Sequence, residues 1–172
     1  MGLIETSGCP WFFDGGPFPW ALSPNDYVEL ERTPCLGICP GYVVRIQADG
    51  SVHWQGQKSV TVLGGQNAKI NPTGAAKPIR TFLSRGGWFL CSRYIQEITD
   101  LPSWTTTVRI GNREKRVLDY ASSAPKWLRD LDSQIDWLIG SPVLTGGGMA
   151  NRALRSSKHG KCSRMFTVPS RV

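Results

Sequence analysis

Beyond Ser141 the chain contains no aspartate or glutamate, whereas Arg152, Arg155, Lys158, Lys161, Arg164 and Arg171 all fall there. These six supply most of the formal net charge of +7; of the 20 bases they leave 14, against 13 acids, for residues 1–140. A basic tail on a near-neutral body makes nucleic acid an unfavoured partner. Phe166 is the only aromatic after Trp137, so the tail also lacks the interleaved rings on which bases stack. Histidine is scarce: His53 and His159 are the only two, neither in a ligand spacing, which argues against a zinc site. No apolar run reaches eighteen residues, so no membrane-spanning helix is expected. The N-terminus lacks a basic segment followed by an apolar one, so no export signal is expected in it either. Thr6-Ser7-Gly8-Cys9 is similar to the end of a lipoprotein cleavage site without its apolar segment, and Cys9 reads as a loop cysteine. The glycine groups at 64–65, 86–87 and 146–148 match neither a dinucleotide fingerprint nor a P-loop, whose Lys-Ser/Thr is missing.

What remains is enough for one core: 172 residues at 40% hydrophobic content. The composition divides the chain into a Gly/Pro/aromatic extension at 1–26, a single α+β domain at 27–140 and a basic tail at 141–172 that reads as disordered. The aromatics of the extension, Trp11 to Trp20, are expected to wrap the body rather than stand in water.

Within the body, Val28 and Leu30 alternate with Glu29 and Glu31, Tyr42, Val44 and Ile46 with Val43, Arg45 and Gln47, and Val52 and Trp54 with His53 and Gln55. This period of two predicts an antiparallel meander near 27–63. Opposed residues share a face, so Ile46 should face Val52 and Val44 should face Trp54, which leaves Ala48-Asp49-Gly50 as a three-residue turn with a left-handed glycine last. Val60 and Val62 suggest a fourth strand ended by Gly64-Gly65. A short helix capped by Thr73 follows, carrying Ile79, Phe82 and Leu83 on one face, with Pro78 tolerable only in its first turn. Trp88 to Tyr94 reads as irregular, and a hairpin spans 105–120 across Gly111-Asn112. Pro125 then opens an amphipathic helix with Leu128, Leu131, Ile135 and Leu138 on its apolar stripe and Arg129, Asp132 and Asp136 placed opposite. Because an antiparallel sheet can leave one face wet, both helices are expected on a single side.

The five cysteines are an odd number, and two of them, Cys35 and Cys39, lie four apart in a proline-bracketed turn. A disulfide there requires the chain to curl back on itself, which Gly37 and the flanking prolines permit. Two reduced packed thiols, a redox pair and half of a thiolate metal site are the alternatives. Redox pairs usually have two intervening residues at a helix N-terminus; here three intervene and a strand follows. The block Arg32-Thr33-Pro34-Cys35-Leu36-Gly37-Ile38-Cys39-Pro40-Gly41-Tyr42, followed by Ile46, Asp49-Gly50, Val52, Trp54 and Gly56, resembles an uncharacterised bacterial domain family. That family opens on an R-T-x-C-x-G-x-C-P-x-Y motif and is often found in exported or lipid-anchored envelope proteins. The resemblance runs through Tyr94, Thr99-Asp100, Pro102, Lys115, Val117 and Tyr120 to Ile135-Asp136, with Trp54 where the family has tyrosine. It implies an envelope location and no established activity.

The sequence presents no catalytic set and calls for no cofactor or metal. Asp132 and Asp136, one helical turn apart, read as solvated charges rather than paired catalytic carboxylates. Asp49 and Gly50 read as turn-forming, and Asp100 as an acceptor for backbone N–H groups in the Thr99–Pro102 turn. Arg45, Gln47, His53 and Gln55 would form a polar patch on the open sheet face, a solvated surface or else a binding face. The expectation is therefore a non-catalytic binding or structural module with a protein or envelope partner. The rivals are a thiol redox or metal-handling protein using Cys35 and Cys39, and a nucleic-acid binder acting through the tail.

Overall fold

The computed structural model describes residues 21–140. The expected aromatic wrap, the basic tail, Cys9 and His159 lie outside them. The alternating segments form β1 (Tyr27–Arg32), β2 (Gly41–Gln47) and β3 (Ser51–Lys58), followed by β4 (Gly64–Lys69). Helix α1 (Pro72–Ser84) and a 3-10 turn at Gly87–Phe89 lead to the short β5 (Arg93–Tyr94). A hairpin of β6 (Ser103–Ile110) and β7 (Arg113–Tyr120) precedes α2 (Lys126–Leu138). The strands make one seven-stranded sheet in the order β4-β3-β2-β1-β6-β7-β5, antiparallel except where β5 pairs with β7. This is an α+β fold.

The β2–β3 hairpin has the expected register, with Ile46 opposite Val52 and Val44 opposite Trp54. Its turn closes where the Gly50 N–H donates to the Gln47 carbonyl at 2.9 Å, with Gly50 at φ +92°. A side chain at Gly50 would also meet the Ile70 carbonyl oxygen at 2.2 Å, so the position needs glycine on both counts. Asp49 secures the same turn by accepting from the Ser51 N–H at 2.8 Å and the Ser51 hydroxyl at 2.9 Å. Those two bonds hold its carboxyl below the ordinary range.

Three local expectations need correction. The fourth strand starts at Gly64-Gly65 instead of ending there: Val60–Val62 form a loop whose Val62 carbonyl accepts from Trp54 Nε1 at 3.0 Å. The α1 cap is Asn71, whose side-chain oxygen accepts from the Thr73 N–H at 2.8 Å, with Pro72 in the first turn and Pro78 inside the helix, its ring buried. Trp88–Tyr94 is not wholly irregular, because it holds the 3-10 turn and β5.

One core fills the space between the sheet and both helices. Val28, Leu30, Val44, Ile46, Val52, Trp54, Val108 and Val117 supply the sheet side, Ile79 and Phe82 the α1 side, and Leu128, Leu131 and Ile135 the α2 side. Both helices therefore lie on one sheet face, as the alternation requires.

Candidate functional site

At the end of the sheet where β1 runs into the cysteine turn, the inward side chains are polar and aromatic rather than aliphatic. Asp119, Trp104, Arg32 and Tyr42 stand side by side in register across β7, β6, β1 and β2. Helix α2 crosses over this row. Its Asp136 accepts from the Arg32 guanidinium and from the Tyr42 hydroxyl, while Arg32 lies with its guanidinium carbon 4.6 Å from the Trp104 ring centroid. Tyr42 stacks in turn on Trp54, centroids 4.6 Å apart. One helical turn back, Asp132 accepts from the Thr106 hydroxyl at 2.6 Å. The chain enters α2 through a turn in which Ala121 and Ser122 are left-handed, held by Asp119 accepting from the Ser123 and Ala124 N–H groups at 2.6 and 2.9 Å.

Asp132 and Asp136 are thus not on the solvated face of α2, where the sequence reading put them. Asp132 is fully buried, and only 14% of the Asp136 side chain is exposed. The apolar stripe passes through Leu128, Leu131 and Ile135, and at 100° per residue Asp132 lies about 40° beyond Leu128, flanking that stripe rather than opposite it. Burial raises the Asp132 carboxyl to about 7; the neighbouring Asp136 and Asp119 add to the rise, and Thr106 and Arg32 oppose it. Asp132 Oδ2 has no hydrogen-bond partner among the described protein groups, so nothing at that oxygen offsets the cost of burying its charge. Burial also raises Asp136, against Arg32 and Tyr42, which favour its charged form.

Arg32 and Tyr42 are cross-strand partners, Arg32 the last residue before the cysteine turn and Tyr42 the second after it. The turn is therefore gripped at its base by α2. Cys35 and Cys39 are disulfide-bonded, Cα atoms 5.4 Å apart, and Cys91 is disulfide-bonded as well. Thr33 fastens one leg to β6, its N–H donating to the Ser103 carbonyl at 3.0 Å and its hydroxyl oxygen accepting from the Ser103 N–H at 2.9 Å. Across the other leg a side chain at Gly41 would meet the Pro34 ring at 2.9 Å, so glycine lets the two legs close. The tip so held carries Leu36 and Ile38, 83% and 85% exposed.

The remaining predicted residues sit elsewhere. Arg45, Gln47, His53 and Gln55 share the outer sheet face, opposite the helices, where Arg45 pairs with Glu29 at 2.7 Å and lies over the Tyr27 ring, and His53 Nδ1 meets Asn67 Oδ1 at 2.8 Å. Asp100 is exposed at φ +65°, well away from that patch in the chain. Among the described residues no three His, Cys, Asp or Glu form a group able to hold a metal ion, and no helix is long and apolar enough to cross a membrane. Sequence reasoning missed the roles of Arg32, Tyr42, Trp104 and Asp136. The flanking of the cysteines by Arg32 and Tyr42 was the one signal available.

Comparison with known families gives a match to the family described as Domain of unknown function (DUF6438), over residues 26–139. The chain belongs to that family. A comparison with the curated proteins finds no match.

Proposed function

We propose that the protein is a non-catalytic binding module of the bacterial envelope whose contact element is the disulfide-closed turn Thr33–Pro40. The observation that carries this reading is the opposition between the base and the tip of that turn. At the base, an arginine, two aspartates and a tyrosine are buried against one another, in no position to meet a substrate. At the tip, two large aliphatic side chains stand almost wholly in water. Exposing Leu36 and Ile38 is unfavourable unless something covers them, and a turn stapled by a disulfide and pinned by α2 loses little conformational freedom when it is covered. The disulfides support an oxidising compartment, because such bonds persist in exported proteins and are rare where thiols are kept reduced.

The test is a photoreactive benzoylphenylalanine placed at Ile38 in the producing cell, with the same group at Asn112, an exposed turn at the opposite end of the sheet, as the control. Adducts specific to Ile38 and lost when Cys35 and Cys39 are both serine are expected. Equal labelling at the two positions, or none at either, overturns the reading. Alkylation of intact cells decides the compartment: Cys35 and Cys39 modified without prior reduction would place the protein among reduced thiols.

A further inference from the structure

We propose that the occupant of the Leu36–Ile38 tip is a second copy of this chain, each turn entering an apolar crevice on its partner. The inference rests on the binding-module reading and names its partner. The crevice, about 200 Å³, opens on the helix-bearing side of the sheet beyond the end of α2, lined by Val52, Trp54, Ala68, Ile70, Leu138 and Ile139, with Gln66 as the one amide-bearing side chain among them. An apolar cavity of about 150 Å³ holds a benzene ring, so this one has room for the four-carbon side chain of Leu36 or Ile38. Convex tip and concave crevice are thus matched in size and in chemistry, and both belong to the same molecule.

The tip cannot fill its own crevice. The turn leaves the sheet beyond the Arg32–Tyr42 pair, whereas Val52 and Trp54 stand level with Ile46 and Val44, further along the strands. The disulfide and the grip of Asp136 keep the turn from folding back. Both features nevertheless lie at the C-terminal end of α2: Asp136 anchors the turn, and Leu138 and Ile139, two and three residues on, line the crevice. A patch that carries knob and hole together is self-complementary, so a two-fold axis between them buries both knobs at once and leaves no open end for further growth.

Sedimentation velocity on the full, oxidised chain tests this over a concentration series reaching high micromolar. The expected result is a monomer–dimer equilibrium. Leu36→Ser with Ile38→Ser removes the knob at exposed positions; Ala68→Arg blocks the hole on the exposed edge strand β4. Each variant alone should weaken the dimer by at least about tenfold, the effect expected of losing a central anchor. Mixing the two restores one knob-in-hole contact, so the mixture should form a heterodimer tighter than either variant's own, a result that misfolding of a variant cannot produce. A wild-type chain that stays monomeric throughout overturns this proposal and leaves the binding-module reading to its cross-linking test. A dimer indifferent to the knob variant overturns this proposal as well, again leaving the binding-module reading to cross-linking at Ile38, and a dimer lost with the knob but indifferent to Ala68→Arg overturns the crevice as its seat.

Discussion

Replacing Asp132 with asparagine should abolish a large part of the protein's pH dependence of stability, with a sign opposite to that usual for an aspartate. The side chain is fully buried, accepts one hydrogen bond from Thr106, leaves Oδ2 without a partner among the described groups, and has its carboxyl raised to about 7. In the unfolded chain the same group ionises near pH 4. Between those two values the folded protein holds a proton that the unfolded chain has released, so stability falls as pH rises through the window and levels off above it. A shift of about three units corresponds to roughly 4 kcal/mol over the whole window, of which roughly 3 kcal/mol falls between about pH 5 and pH 8. Asparagine has the shape of the protonated acid, keeps an acceptor for Thr106 and cannot ionise. The variant should therefore match the wild type to within about 1 kcal/mol near pH 5 and exceed it near pH 8. Urea denaturation of both proteins at the two pH values measures the difference directly. Parallel profiles would refute the reasoning, since they would mean that Asp132 carries the same charge in the folded and unfolded states.

Removing Asp136 tests the pin itself: Asp136→Ala leaves Arg32 buried without its carboxylate and Tyr42 without its acceptor, and should destabilise the protein by about 3–5 kcal/mol in urea denaturation at neutral pH. Cys35→Ser with Cys39→Ser frees a loop only a few residues long, so the loss should be smaller, about 2 kcal/mol on the chain-entropy model, read from the urea midpoint. Gly50→Ala should cost more than about 1 kcal/mol, because it combines a left-handed backbone with a collision at the Ile70 carbonyl; a thermal melt unchanged from wild type would show that the β2–β3 turn adapts.

How much of this was legible beforehand follows from the range of the forces involved. The Ile46–Val52 register and the left-handed Gly50 were readable because a hairpin's register is settled by neighbours a few residues apart. Strand β4 escaped because Gln66-Asn67-Ala68-Lys69 carries no apolar alternation: it is an edge strand, and polar edges resist pairing with other chains. Its two glycines looked like a stop because glycine disfavours strands, yet here they open one. The Asn71 cap was missed for a simpler reason, since both Asn71 and Thr73 are competent caps and Pro72 suits the position between an asparagine cap and the rest of the helix. The Arg32–Asp136 contact, 104 residues apart, has no local signature at all. Asp132 is the instructive error, because its place flanking the stripe, about 40° beyond Leu128, was computable and it was displaced to the opposite face only on the prior that aspartates are solvated.

That prior fails here for a reason that links the core to the surface. A turn between two antiparallel strands, with proline at each end and glycine at its centre, would ordinarily be among the loosest parts of a domain. To hold two aliphatic side chains in fixed positions in water, it has to be tied to something that does not move. The aliphatic core cannot serve, because packing contacts are non-directional and fix the position of a strand better than the orientation of its last residue. A guanidinium and a phenol converging on one carboxylate are directional. They orient the residues on both sides of the turn, β1 and β2 alike, against a single point on α2. Trp104 beneath Arg32 and Trp54 beneath Tyr42 then keep both partners in place from below. Burying charge for this purpose is unfavourable, and the same burial raises the carboxyl of Asp132 beside the pair. The polar end of the core is thus explained by what it does to the turn outside it.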